Sequence, residues 1–483
     1  MANDPNTIQY VIQEDGFWYV ASKDRTPGVP EITVSAKGVA NGLSTEYNDG
    51  YDFGPDSYNP NSTANPPYTQ SGGIQEAVNY LATNGYGEIK VKSGNYILNA
   101  TVNITTPGIM INGEITRTGQ KTGIDPPSPL PTIKLADNIN EPLFLITSDP
   151  SNITNSPDGF RGFQLKNLII DGNSANNTGA NGIEIAAADV IIENCEIKKA
   201  SNNGIVTFDT STVDLGENVR LVNTTVHNNG SNGVLVGHGD LRILGGEYFN
   251  NDGAGIAGTG GNMGGFQVLN ANIYGNSTGI YISGATGQFI NNGYIMGCSI
   301  DHNYQYGIYI NSNIVQFIIA NNTIWDTTAG NSTPPTTASH IYLNESYGNI
   351  QALITGNTFF ADSSATYLPQ EIYAVNGYSH AIFTNNYYYN TNRTVIISNY
   401  LLVTTPSVPA SATAQQNTNP YPVDVYIYGG DVTEIQITRN GTAYTVLSVS
   451  TAIAMSGQAY KLNPGDSITI TYSTAPSWEW LSD

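Results

Sequence analysis

Basic residues are scarce: 17 Lys and Arg stand against 39 Asp and Glu, a formal net charge of −22 in 483 residues. So acidic a chain repels nucleic acid and anionic membrane surfaces, which excludes both as partners. It also attracts strongly anionic polysaccharides poorly. No apolar run of about 18 residues occurs, so no membrane span is expected. The opening, MANDPNTIQY, lacks the basic and apolar segments of a secretory signal. There are only two cysteines, Cys195 and Cys298, at positions expected to be buried. They are expected about 19 Å apart along the chain's repeat, too far for a disulfide. No cofactor or metal motif is present, and calcium-binding GGxGxD repeats are missing.

Charged residues make up 12% of the chain, whereas Gly (51) and Tyr (31) are abundant. That composition suits short strands and turns and disfavours helix bundles. One phrase recurs: GIEI at Gly182, GIVT at Gly204, GVLV at Gly233, GIAG at Gly255, and GIYI at Gly279 and Gly307. Weaker copies follow as HIYL at His340 and EIYA at Glu371. An imperfect period of about 25 residues, made of strand-like phrases, predicts a β-solenoid.

Residues 1–70 show no repeat and are expected to form an N-terminal arm or attachment segment. In 71–85, Ile74, Ala77, Val78 and Leu81 lie on one face of a short helix, stopped by Gly85 and placed to cap the solenoid. Phrases such as DVIIEN, VRLVN, FQVLN and FIIAN end at Asn167, Asn194, Asn223, Asn270, Asn321 and Asn385, with Gly245, Gly297 and Gly356 in the gaps. Three residues on runs an apolar core column: Ile170, Ile197, Val226, Tyr248, Ile273, Ile300, Ile324, Phe359, Tyr388.

The capping helix followed by EIKVKSGNY resembles the start of the pectate-lyase-like right-handed parallel β-helix superfamily, which includes many phage tailspikes. The resemblance covers roughly residues 70–400. It implies an all-β fold with three strands per coil, and an Asn ladder at one turn whose amides bond along the stack. Residues 401–418 read as a Pro/Thr/Ser/Ala linker. Residues 419–483 alternate with period two and read as a small C-terminal antiparallel β-sandwich. That module resembles a C-terminal module of phage and archaeal-virus tail proteins. Such a protein is expected at a virion surface or extracellularly, as a homotrimer whose partner is a cell-surface polysaccharide.

Two outward columns carry the chemistry. On the first strand, the residue after Gly-Ile runs Glu184, Val206, Leu235, Ala257, Tyr281, Tyr309, Tyr342, Tyr373. Its four tyrosines suit stacking on the sugar rings of a long glycan, or alternatively an aromatic ladder or a subunit interface. On the third strand, the column runs Asp171, Lys198, His227, Phe249, Tyr274, Asp301, Trp325, Phe360, Tyr389. Tyr274 and Trp325 are further candidates for carbohydrate contact, and this face is also a candidate interface between subunits.

Candidate catalytic acids are Glu196 with Glu247, Asp209 with Asp240 beside His238, and Asp301 with Asp326. Each competes with the plainer reading of a solvated surface acid. Where the polygalacturonase branch of the superfamily carries its acids, this chain has Asn181, Asn202, Asn203 and Asn232. An amide can neither protonate a leaving group nor activate water as a carboxylate does. Arg220 and Arg242 could hold a uronate, but they lie on the second strand, so a lyase ranks below a glycoside hydrolase. A non-catalytic fibre protein is the third possibility.

Overall fold

The computed structural model describes residues 10–14, 17–21, 31–34, 71–84, 86–114, 130–147, 161–208, 217–259, 263–284, 289–325, 327, 338–344, 350–360, 370–375, 381–389, 405–419 and 422–482. The chain divides into two compact units, one of which is the solenoid and the other the C-terminal module.

The solenoid is a right-handed β-helix built from three parallel sheets of 10, 13 and 11 strands. The 10-stranded sheet holds the Gly-Ile phrases, and the 13- and 11-stranded sheets hold the second and third strands of each coil. Alternate residues point into a common core. Ile183, Ile205, Val234, Ile256, Ile280, Ile308 and Ile341 line one wall, and Ile170 through Phe359 of the third-strand column line another, all buried.

The recurring glycine has a steric cause. A Cβ on Gly279 would lie 2.5 Å from the carbonyl oxygen of Gly307 on the next coil, and Gly307 meets His340 in the same way. Gly-Ile therefore marks a point where successive coils approach too closely for a side chain.

The helix Ile74–Asn84 covers the N-terminal end, with Ile74, Ala77, Val78 and Leu81 buried. Ser71 Oγ accepts a hydrogen bond from the Gln75 N–H at 2.9 Å and fixes the helix start. Gly85 lies outside the described residues. Ahead of the helix, Glu31–Val34 already pairs with Gly87–Val91 in the second-strand sheet. Most of the arm at 1–70 lies outside the described residues, as do 401–404 of the linker.

The asparagine column at the second turn differs from the expected amide ladder. Asn194, Asn223, Asn270, Asn321 and Asn385 are exposed, and all adopt left-handed φ between 47° and 56°. Gly245, Gly297 and Gly356 take the same conformation. Asn is chosen there for its tolerance of that backbone. On Gly297 a side chain would also collide with Asn270 Oδ1, 2.4 Å from its Cβ position.

The buried ladders lie elsewhere. One residue further on, Asn322 donates to Asn357 Oδ1 at 2.9 Å, and Asn357 donates to Asn386 Oδ1 at 3.0 Å. Cys195, Thr224 and Cys298 precede them in the same column, and Cys195 and Cys298 are free and buried. Burial pushes their thiols up to about 12 and about 11, so neither is a reactive thiolate. At the third turn, Asn229, Asn251, Asn276 and Asn303 form a second buried ladder with side-chain bonds of 2.8–3.1 Å. These amides saturate turn backbone that water cannot reach.

The C-terminal module is one five-stranded antiparallel sheet. Its central strand, Val423–Arg439, pairs with Thr442–Leu462 along one side. On the other side it pairs first with Ser477–Ser482 and then with Ser467–Thr474. The partner changes at Gly429 and Gly430, both at positive φ. Val425, Ile427, Ile435, Leu462, Ile470 and Trp480 centre its core.

Candidate functional site: two outward columns of the solenoid

Strand register confirms both outward columns wherever it is described. On the first-strand sheet, Glu184, Val206, Leu235, Ala257, Tyr281, Tyr309 and Tyr342 stand in line. Tyr373 lies on the next strand, Gln370–Val375, and its side chain lies outside the described residues. The rings stack on one another: Tyr281 on Tyr309 at 5.0 Å and Tyr309 on Tyr342 at 4.9 Å, nearly parallel. Tyr306 leans against both Tyr309 and Tyr342, at 5.0 and 5.2 Å, and Tyr342 is buried. Their faces are thus turned to each other, and edges are left for solvent. Below Tyr281 the column continues with Ala257, a buried residue without a ring.

On the third-strand sheet, register joins Asp171, Lys198, His227, Phe249, Tyr274, Asp301, Trp325, Phe360 and Tyr389 without a break. His227, Phe249 and Tyr274 stack in parallel at 4.5 and 4.8 Å. The stack then stops, because Asp301 takes the next place and Trp325 the one after. Two coil rises of about 4.8 Å each separate the backbone positions of Tyr274 and Trp325, with only a short carboxylate between them. Asp301 lies 3.0 Å from His302 Nδ1, and the His302 ring meets Trp325 edge-on at 5.1 Å. The result is an aromatic series interrupted by one acid, with His302 against the Trp325 ring.

The acids nearby are not equivalent. Glu196 and Glu247 share a column two coils apart, through Thr225, as the spacing predicts. Glu196 accepts from Lys198 Nζ at 2.7 Å and lies 3.1 Å from His227 Nε2. The His227 hydrogen bond and, after the opposing cost of burial, the Lys198 ammonium hold its carboxyl down at about 2. Glu247 hydrogen-bonds Tyr274, whose phenol is pushed up, chiefly by burial and then by the charges of Glu247 and Asp301. Glu247 also borders a groove of about 670 Å³ at the second turn, with Leu244, Asn270 and Asn272. A second groove, about 560 Å³ and mostly polar, crosses the third turn between Ser174, Thr178, Ser201, Asn228, Asn250 and Asp252.

His238 and Asp240 lie on the turn after Val234–Val236, while Asp209 lies outside the described residues. Asp326 likewise lies outside them. Among the described residues no group of three or more His, Cys, Asp or Glu could hold a metal ion. Arg220 and Arg242 stand in register on the second-strand sheet.

Asn181, Asn203 and Asn232 have a structural task. Asn203 donates to Asn181 Oδ1 at 3.1 Å and Asn232 to Asn203 Oδ1 at 3.0 Å, a third amide ladder. Sequence reasoning missed Tyr306 and His302. Tyr306 was legible as the residue just before Gly307, and His302 as the neighbour of an outward acid.

A three-sheet parallel solenoid with outward aromatic columns is the class of protein these features define. The family described as right handed beta helix region matches residues 146–243 and 212–388, together 243 of the 483 residues, and the chain belongs to it. A comparison with curated proteins gave no match. Among solved structures, the A-module of the mannuronan C-5 epimerase AlgE4 of Azotobacter vinelandii is 18% identical, with 65% of this chain and 90% of that one covered and a TM-score of 0.48. The Dettilon tailspike protein (gp208) is 13% identical, with 80% and 74% covered and a TM-score of 0.44. ORF18 of Geobacillus virus E2 is 12% identical, with 97% and 83% covered and a TM-score of 0.38. No helix among the described residues is long and apolar enough to cross a membrane.

Proposed function

We propose that the chain is a tail-type virion surface protein that recognises a cell-surface polysaccharide on the outer face of its third-strand sheet. The observation that carries this reading is the interruption of the aromatic column by Asp301. Tyr274 and Trp325 are separated there by Asp301 and do not stack on each other, Trp325 meeting His302 and Phe360 only edge-to-face. Aromatic faces suit the apolar faces of sugar rings, and the Asp301 carboxylate accepts from sugar hydroxyls. The first-strand tyrosines, Tyr281, Tyr309, Tyr342 and Tyr373, are the secondary contact, through phenol edges. A glycan array with the parent and a Tyr274→Ala/Trp325→Ala variant tests the reading. Binding lost in the variant supports it, and a parent that binds no glycan overturns it.

Depolymerisation of the bound glycan is the second reading, favoured by the spacing of Glu196 and Glu247. Two coil rises of about 4.8 Å reach the upper end of the separation used by inverting glycosidases. Glu196 and Glu247 would be the carboxylate pair. Asp240 and Asp301 are the alternatives among the described acids. Release of new reducing ends from a bound glycan is the measurement, and binding without product overturns this second reading alone.

A further inference from the structure

The third turn uses its polar residues in two ways. Asn229, Asn251, Asn276 and Asn303 turn inward and bond to one another. The residues on either side of that ladder line the groove of about 560 Å³. Just before the ladder, Asn228 and Asn250 are exposed, at left-handed φ of 55° and 51°. Just after it, successive coils carry Ser201, Gly230 and Asp252. Gly230 opens the groove. A Cβ there would lie 2.5 Å from the Ser201 carbonyl oxygen, so the close approach of the coils excludes a side chain. The column is therefore empty between Ser201 and Asp252, whose backbones stand two coil rises apart, about 10 Å.

The lining is amide and hydroxyl with one carboxylate, and no basic residue or aromatic ring lines it among the described residues. The buried members, Asn177 and Asn229, have their amides bonded to the protein. The side chains of Asn228, Asn250 and Asp252 make no hydrogen bond among the described residues and face the groove with their polar atoms free. The groove also adjoins the third-strand face. Asn228 and Asn250 directly follow His227 and Phe249 of the aromatic stack, and the Asn250 N–H donates to the Tyr274 carbonyl at 3.1 Å.

We infer that this groove is a second subsite for the polysaccharide and that it selects uncharged, hydroxyl-rich sugar units. The inference rests on the recognition reading above and adds the class of glycan and its direction. A carboxamide offers a donor and an acceptor side by side, which is what a sugar hydroxyl can answer on both counts. An anionic sugar would meet Asp252 in a chain of net charge −22, with no basic residue in the groove to offset the repulsion. A cationic sugar would meet one acid at one end of an otherwise neutral lining. The glycan runs from Tyr274 toward the N-terminal coils, so that units beyond the one at Tyr274 enter the groove across Asn250 and Asn228.

Calorimetric titration of the full chain tests this, with neutral gluco-, manno- and galacto-oligosaccharides of increasing length beside oligogalacturonate and chitosan oligomers. Affinity for a neutral series is expected to rise with length, and both charged series to bind about ten-fold more weakly or not at all. An Asn228→Gly/Asn250→Gly variant removes both carboxamides where glycine accepts the left-handed backbone, as Gly275 already does on the next coil. It is expected to keep the parent's unfolding midpoint, to lose about ten-fold in affinity for the long oligosaccharides, and to bind the shortest ligand as the parent does. A variant that binds long oligosaccharides as well as the parent, or a parent that prefers either charged series, overturns the inference. If Tyr274→Ala/Trp325→Ala abolishes binding while the groove variant binds like the parent, this inference alone falls. A parent that binds no glycan overturns the recognition reading and this subsite together.

Discussion

The two outward columns begin from similar material and end differently. On the first-strand sheet three tyrosines in succession stack on one another, and Tyr306 seals their flank. On the third-strand sheet the stack of His227, Phe249 and Tyr274 is broken by Asp301, and Trp325 beyond it meets His302 and Phe360 edge-to-face. An unbroken aromatic row spends its faces on itself and stabilises the coil. An interrupted row sets its rings beside a polar group instead. The count of aromatics therefore says less about binding than the place where their series is interrupted.

The comparison can be broken most directly by removing the rings on each face. Tyr309→Ala/Tyr342→Ala is expected to cost about 3 kcal/mol of stability, from two lost stacks and partial burial, with glycan affinity changed less than two-fold. Thermal unfolding and glycan titration read the two effects, and a ten-fold affinity loss would return the first-strand row to the centre of recognition. Tyr274→Ala/Trp325→Ala is expected to do the reverse: affinity falls about ten-fold, equal to about 1.4 kcal/mol, with a smaller loss of stability.

Beneath the third-strand face, Tyr248 occupies a core position that its neighbours fill with Ile or Val, and its buried hydroxyl lacks a hydrogen-bond partner. Tyr248→Phe is expected to raise stability by about 1 kcal/mol in denaturant titration, because an unsatisfied polar group is removed without a cavity. A loss of stability would show that the hydroxyl is satisfied in solution.

The smallest effect concerns Glu196. Its folded-state carboxyl is held at about 2, below the ordinary 4.5, so the stability it contributes is present above about pH 4.5 and lost as pH falls toward 2. Glu196→Gln should therefore be less stable than the parent at neutral pH, by under about 1 kcal/mol for so open a pair, and equal to it near pH 2. Parallel pH–stability curves for the two proteins would remove the Lys198 and His227 contacts from the account.

Much of the fold was legible because a solenoid repeats a local pattern. The Gly-Ile phrase, the core column from Ile170 to Phe359 and the order of both outward columns follow from alternation within short strands. The asparagines were legible as turn residues, but their roles were misplaced by one residue. Asn321 and Asn322 are neighbours of identical composition. The first bends the backbone into the left-handed region, and the second turns its amide into the core. Only the path of the chain through the turn distinguishes them.

The sequence by itself determined the period, the β-solenoid and the inward and outward faces, because each depends on spacing along one chain. The tertiary structure alone decided which ring faces are occupied and which acid is paired. Those depend on what a neighbouring coil places alongside. Stacking and ion pairing are contacts between residues far apart in sequence, and their strength is set by distances of a few ångströms that spacing in one dimension does not contain.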